Sequence, residues 1–167
     1  MVAEDGVSAA SLALAFEELL GSGSALLPLL QPHAQRLASL IKGLTLHPVA
    51  QLLLTAAQTA RPEHYAHAVA AMALNGALMA AGGGDDAAVR LALLCGLLHD
   101  VGEMYIGPEH GAAEADRDLD FASYQQLVVH PHVGSLLLAQ LTNYPADVAR
   151  AVAEHHERLD QSGYPNA

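Results

Sequence analysis

Apolar residues recur at three- and four-residue intervals through most of this chain, and the alternating runs that a half-buried strand needs are scarce. Residues 8–20 read as a short helix, closed by the Gly-Ser-Gly-Ser run at 21–24. A second helix spans about 25–41, with Leu26, Leu30, Leu37, Leu40 and Ile41 near helical period, although Pro28 and Pro32 push its start toward residue 32. Gly43 ends it, and a third covers about 47–59. Arg61-Pro62-Glu63 then starts a helix that runs to about Ala81, with proline in the first turn and an acid beside it. Glycines at 82–84 stop it, and Asp85-Asp86 cap the next, over about 86–100. The stretch 107–120 has loop composition. Helices follow over about 121–128, from His130-Pro131 to about Leu141, and from Pro145 to about Leu159. The expected fold class is all-α, a helical bundle.

Composition sharpens this picture. The 167 residues suit one domain, or one domain with an extension. Hydrophobic residues make up 52% but aromatics only 4%, so Ala and Leu must build the interior from closely approaching helices. A net charge of −11 with seven Lys and Arg argues against long nucleic acid and anionic membrane as partners, since both need clustered cations. A small anionic ligand stays compatible if bound metal supplies the positive charge. The single Cys95 cannot form an internal disulfide and, between Leu94 and Gly96, reads as an inert buried thiol. No apolar run is long enough to span a bilayer, and the acidic start lacks the basic segment of a secretory leader, so a cytoplasmic protein is expected.

Ten histidines are the outlier, and five of them, two with an acid, fall into four clusters. Glu63 and His67 are four apart on one helix and share a face. His99-Asp100 ends a greasy run, His130 precedes Pro131, and His155-His156 closes the last helix. Adjacent residues in mid-helix diverge by about 100°, but near a helix end both can be swung toward one pocket. Taken singly, each cluster has a mundane reading: a solvated contact, a helix start, or a complement to the helix dipole. Accepting all four mundane readings together requires coincidence. Histidines 33, 47, 64, 110 and 132 keep theirs, with His64 the nearest rival to His67.

"HDVGE" at 99–103, "HPHVG" at 130–134 and "HHERLDQSGYP" at 155–165 resemble, in order, the HD-x-G-K, H-P-x-x-G and H-H-E-x-x-D-G-x-G-Y-P motifs of the HD-GYP branch of the HD superfamily of metal-dependent phosphohydrolases. Glu63-x-x-x-His67 is similar to the upstream ligand helix. The resemblance covers about residues 60–165, leaving 1–60 as an N-terminal helical extension and 61–167 as the HD-like domain. It implies a helical bundle that hydrolyses cyclic di-GMP at a site of two or more ions. The implied metal ligands are Glu63, His67, His99, Asp100, His130, His155 and His156, with Asp100 bridging and His99 and Asp100 at the catalytic centre. Glu103, Arg158, Gly163, Tyr164 and Pro165 fall at substrate-facing positions. Seven N and O donors exceed what one ion can use. The absence of thiolate points to Fe or Mn, with Zn as a further candidate. Two ions can acidify a shared water and offset charge on phosphoryl oxygens.

Three departures temper the activity expected. Glu103 stands where the family has Lys, Gln161 replaces the first Gly of the last motif, and the family's further acidic ligand would lie beyond Ala167. Gln tolerates positive φ poorly, so that loop is expected to be shaped differently. Weak turnover of cyclic di-GMP is therefore expected. A non-catalytic signalling module of the same fold, and an HD phosphohydrolase acting on another phosphate ester, remain as alternatives. The helices of 1–60 are expected to pack on the bundle, on a second copy in a homodimer, or on a signalling partner.

Overall fold

A computed structural model describes residues 6–107 and 120–165. By packing, the chain falls into two compact units, Met1–Leu97 and Leu98–Ala167. Every regular element among the described residues is helical.

The first unit begins with α1 (Ala9–Gly21), whose start is fixed by a reciprocal cap. The Ser8 hydroxyl accepts from the Ser11 amide at 3.2 Å, and the Ser11 hydroxyl accepts from the Ser8 amide at 2.8 Å. The helix expected over 25–41 is not continuous. It is broken into α2 (Leu27–Leu30), a 3-10 turn at Gln31–His33, and α3 (Ala34–Lys42). The two prolines are the reason: each lacks the N–H that would carry the helix forward, and each sits at the start of a new segment instead. Next comes α4 (Pro48–Ala60), capped by the His47 imidazole, whose Nδ1 accepts from the Val49 amide at 3.2 Å. His47 thereby has a structural task.

Then come α5 (Pro62–Ala81) and α6 (Asp86–Leu98), the latter started by Asp85, whose carboxylate accepts from the Ala88 amide at 2.8 Å. The helices before residue 61 pack within their own unit, with α1, α2, α3 and α4 all against α5. Ala68, Ala73 and Ala77 keep the buried side of α5 slim, so that Leu12, Phe16, Leu37, Ile41, Met72 and Leu93 are completely buried. Each such side chain contributes about 1.5–3 kcal/mol. Cys95 is only half-buried, which corrects the expectation of a buried thiol.

The second unit starts at the last residue of α6. That helix stops at Leu98, two residues short of the expected end, so His99 and Asp100 lie in a turn that leads into a 3-10 segment, Val101–Tyr105. After the undescribed stretch 108–119, which includes His110 and most of the expected loop, come α7 (Phe121–Leu127), α8 (His130–Leu141) and α9 (Ala146–Glu154). Helix α9 ends at Glu154 rather than near Leu159. His155 and His156 therefore follow the helix, and Leu159 is fully exposed. Helix α8 packs against α9 and against the 3-10 segment. The closeness of that second contact depends on Gly102: a Cβ there would collide with the His130 carbonyl and stand 2.8 Å from the Gly134 amide nitrogen. No helix of the described residues is long and apolar enough to cross a membrane.

Candidate metal centre

Within the second unit, four side chains converge. One ligand atom from each of Asp100, His130, His155 and His156 lies within 4.8 Å of all the others. Three interruptions of helix make this possible. Asp100 sits in the turn that ends α6, His130 at the first position of α8, and His155-His156 in the turn that ends α9. In mid-helix the last two rings would diverge; past the helix end their centroids are 4.1 Å apart.

Asp100 stands at the centre. Its Oδ1 is 3.4 Å from His130 Nε2 and 3.2 Å from His155 Nε2, while its Oδ2 is 2.9 Å from His99 Nε2. Each carboxylate oxygen thus addresses a different set of imidazoles. The carboxylate is nearly enclosed, and His130 is completely buried.

Two of the histidines are held by the same device. His130 Nδ1 lies 2.7 Å from the Leu127 carbonyl, and His155 Nδ1 lies 2.8 Å from the Val152 carbonyl, in each case three residues back. A carbonyl can only accept, so both Nδ1 atoms carry a proton, and each ring in its neutral form presents an Nε2 lone pair to the centre. Those lone pairs are 3.2 Å from each other and face an Asp100 oxygen. Such a convergence of acceptors is repulsive unless a proton or a cation lies among them. Imidazole and carboxylate in this arrangement, with outer carbonyls fixing the ring tautomers, suit a divalent transition metal.

Among the described residues no carbonyl anchors His156. Its pKa is pushed down to about 4, chiefly by burial, then by the charges of His155 and His130, with Asp100 opposing. Its ring lies against Tyr164, at a centroid distance of 4.5 Å and an interplanar angle of 22°. Burial raises the Tyr164 phenol well above its ordinary range, and Tyr124, Asp100 and Glu103 reinforce the shift, so the hydroxyl keeps its proton near neutral pH.

The remaining expected residues are placed as follows. Glu63 and His67 are exposed on the first turns of α5, in the first unit, with His64 half-buried between them. Glu103 is buried, at 5% exposure, in the 3-10 segment that follows Asp100, so it is not a solvent-facing acid. Arg158 and Pro165 are exposed, and Gly163 is half-buried where any side chain would meet the backbone of 156–158. Gln161 does adopt positive φ, 63°, so the left-handed turn is retained without its glycine. Sequence reasoning missed the Leu127 and Val152 carbonyls. The available signal was a buried apolar residue three positions before each histidine.

The HD domain profile matches residues 63–166, beginning at Glu63. The chain is also 36% identical over 135 residues to the cyclic di-GMP phosphodiesterase PA4108 of Pseudomonas aeruginosa. That alignment covers 80% of this chain but 32% of the relative, so the chain spans about a third of the length of the protein it matches. No solved structure gives a significant match. A profile match over more than half of the chain, starting and ending around the four clusters, establishes that the chain belongs to the HD domain family.

Proposed function

We propose that this protein is a metal-dependent phosphohydrolase of the HD-GYP type that cleaves a phosphodiester bond of a small cyclic dinucleotide such as cyclic di-GMP. The observation that carries the reading is the Asp100-centred cluster, in which two tautomer-fixed imidazoles and a nearly enclosed carboxylate converge on one point. The activity for which the Pseudomonas relative is named supplies the substrate class.

The proposed ligand set is Glu63, His67, His99, Asp100, His130, His155 and His156, for two or more divalent ions, Fe or Mn first and Zn next. Glu63 and His67 enter this set through the family motif. When bound, such ions supply Lewis acidity and offset negative charge on phosphoryl oxygens. The chain's own contribution is orientation. The Leu127 and Val152 carbonyls hold the His130 and His155 rings, and Asp100 presents one oxygen to His130 and His155 and the other to His99. Arg158, exposed on the closing loop, is the nearby cation proposed to meet a substrate phosphate.

A second reading has its own observation. Glu103 places a buried acid beside Asp100 where the family motif has a cation, which favours a module that binds metal or nucleotide with little turnover. One experiment separates the two: elemental analysis of chelator-free protein, followed by a phosphodiesterase assay on cyclic di-GMP with Fe, Mn and Zn each supplied. The proposed function predicts more than one equivalent of metal and a linear product. Bound metal without product supports the binding module, and a chain that takes up no metal refutes the enzyme and the metal-binding form of the module.

A further inference from the structure

His130 and His155 are each oriented by a hydrogen bond from Nδ1 to a carbonyl, whereas among the described residues the His156 side chain is flanked by rings and meets no carbonyl. A ligand ring without such a bond is free to turn about χ2 unless something else fixes its plane. Among the described residues one ring lies nearly parallel to it, the phenol of Tyr164, at 22°; the His130 and His155 rings meet it at 88° and 44°. We propose that Tyr164 is the positioning residue for His156, replacing with a stacked ring the carbonyl anchor that the other two histidines use. The proposal rests on the reading of the cluster as a metal site.

The loop between the two residues is built to hold this stack. The Tyr164 amide donates to the His156 carbonyl at 3.3 Å, closing the backbone on the histidine it covers. Gly163 makes the closure possible, because a Cβ at that position would stand 2.6 Å from the Arg158 nitrogen and from the Glu157 Cα. Inside the loop, the Asp160 carboxylate accepts from both the amide and the hydroxyl of Ser162, at 3.1 and 2.7 Å, and the Gln161 amide donates to the Arg158 carbonyl at 3.0 Å. On its outer side Tyr164 is backed by Tyr124 of α7, edge-on with centroids 6.4 Å apart. The phenol hydroxyl is not needed for any of these contacts. The ring face is, and this distinction gives the test.

The full chain, stripped with chelator, is titrated with Mn2+ and with Zn2+ by calorimetry, alongside Tyr164→Phe, Tyr164→Leu, His156→Ala and the Tyr164→Leu/His156→Ala double variant. Circular dichroism checks the fold of each. Loss of the stack should weaken metal binding about 10- to 100-fold, the range for removing a group that orients a ligand. Tyr164→Phe should bind like the parent, and the double variant should bind no more weakly than His156→Ala alone. In the metal-free proteins, the His156 ring protons should show the upfield ring-current shift in the parent and in Tyr164→Phe but not in Tyr164→Leu. If Tyr164→Leu does not fold, Tyr164→Met keeps apolar volume without a ring plane and takes its place. Parent-like binding by the folded variant without the ring, or an undiminished further loss in the double variant, overturns the role of Tyr164 alone. A parent chain that takes up neither ion overturns the metal reading and this inference together.

Discussion

In the first unit the completely buried side chains include Leu12, Phe16, Leu30, Leu37, Ile41, Met72 and Leu93, all apolar, whereas in the second His130 is as buried as any of them, with Asp100 and Glu103 close behind. The first interior gains from every water it excludes and has no conditions attached. The second surrounds its polar groups with a thin apolar shell, Leu98, Val101, Leu138, Val148 and Val152, and aims acceptors at one another. Buried polar groups without partners cost free energy, so this interior is complete only when a cation or a proton is shared among them. The first interior is apolar throughout its completely buried side chains, and the second encloses a cluster of side chains that could hold a metal ion.

The sharpest way to break this comparison is to remove the centre of the polar interior. Asp100→Ala takes away a carboxylate whose two oxygens address three imidazoles, and it should abolish most metal uptake, with affinity falling by at least about a hundredfold. Elemental analysis and calorimetry against the parent read the loss. If Asp100→Ala keeps its metal, the carboxylate is a structural partner of the histidines and the second interior is less specialised than described. The counterpart in the first unit is Phe16→Ala. Deleting a completely buried ring should cost about 3–5 kcal/mol in urea unfolding, while the folded variant should still bind metal as the parent does.

Much of this contrast was legible in the chain, for physical reasons that differ by residue. Helical periodicity and proline in the first turn place α1, α5 and α8 correctly, because those signals are local. The histidine clusters could be singled out because so few other polar residues interrupt the apolar runs. What local reading lacked was where helices stop. The signals for residues 86–100 and for the stretch after Pro145 carried both helices too far, since His, Glu and Leu are all tolerated in a helix, whereas the helices end at Leu98 and Glu154. The burial of Glu103 likewise belongs to the 3-10 segment packed against α8, whereas the carbonyl partners of His130 and His155 lie only three residues back in sequence.

A smaller effect should appear on acidifying the metal-free protein. The folded chain holds the His156 pKa near 4, mainly through burial, against 6.5 for the free side chain. Between those values the unfolded chain binds more protons at this site, so stability rises with pH across the window and is lost as pH falls from about 6.5 toward 4. Below 4 both states are protonated and this contribution stops changing. Thermal melts of chelator-treated protein should therefore show Tm dropping over that interval, and His156→Gln should flatten the drop. An equally steep fall in His156→Gln would place the sensitivity elsewhere and weaken the claim that the second interior is the conditional one.

The smallest expected effect concerns the loop that carries Tyr164. Gln161 holds φ at 63°, a conformation that costs a residue with a Cβ roughly 1–2 kcal/mol relative to glycine. Its side chain is exposed, so little packing is lost by removing it. Glycine also enlarges the conformational freedom of the unfolded chain, which takes back about 0.4–1 kcal/mol. The net for Gln161→Gly should be a stabilisation of about 0.5–1 kcal/mol, seen as a rise in Tm of roughly 1–4 °C. Gln161→Val tests the sign, because a β-branched side chain is poorly tolerated at positive φ and should lower Tm instead. If both substitutions leave Tm unchanged, the turn is not coupled to cooperative unfolding. The second unit would then owe its stability to the Asp100-centred cluster and the α8–α9 packing, with the closing loop contributing only to the site it covers.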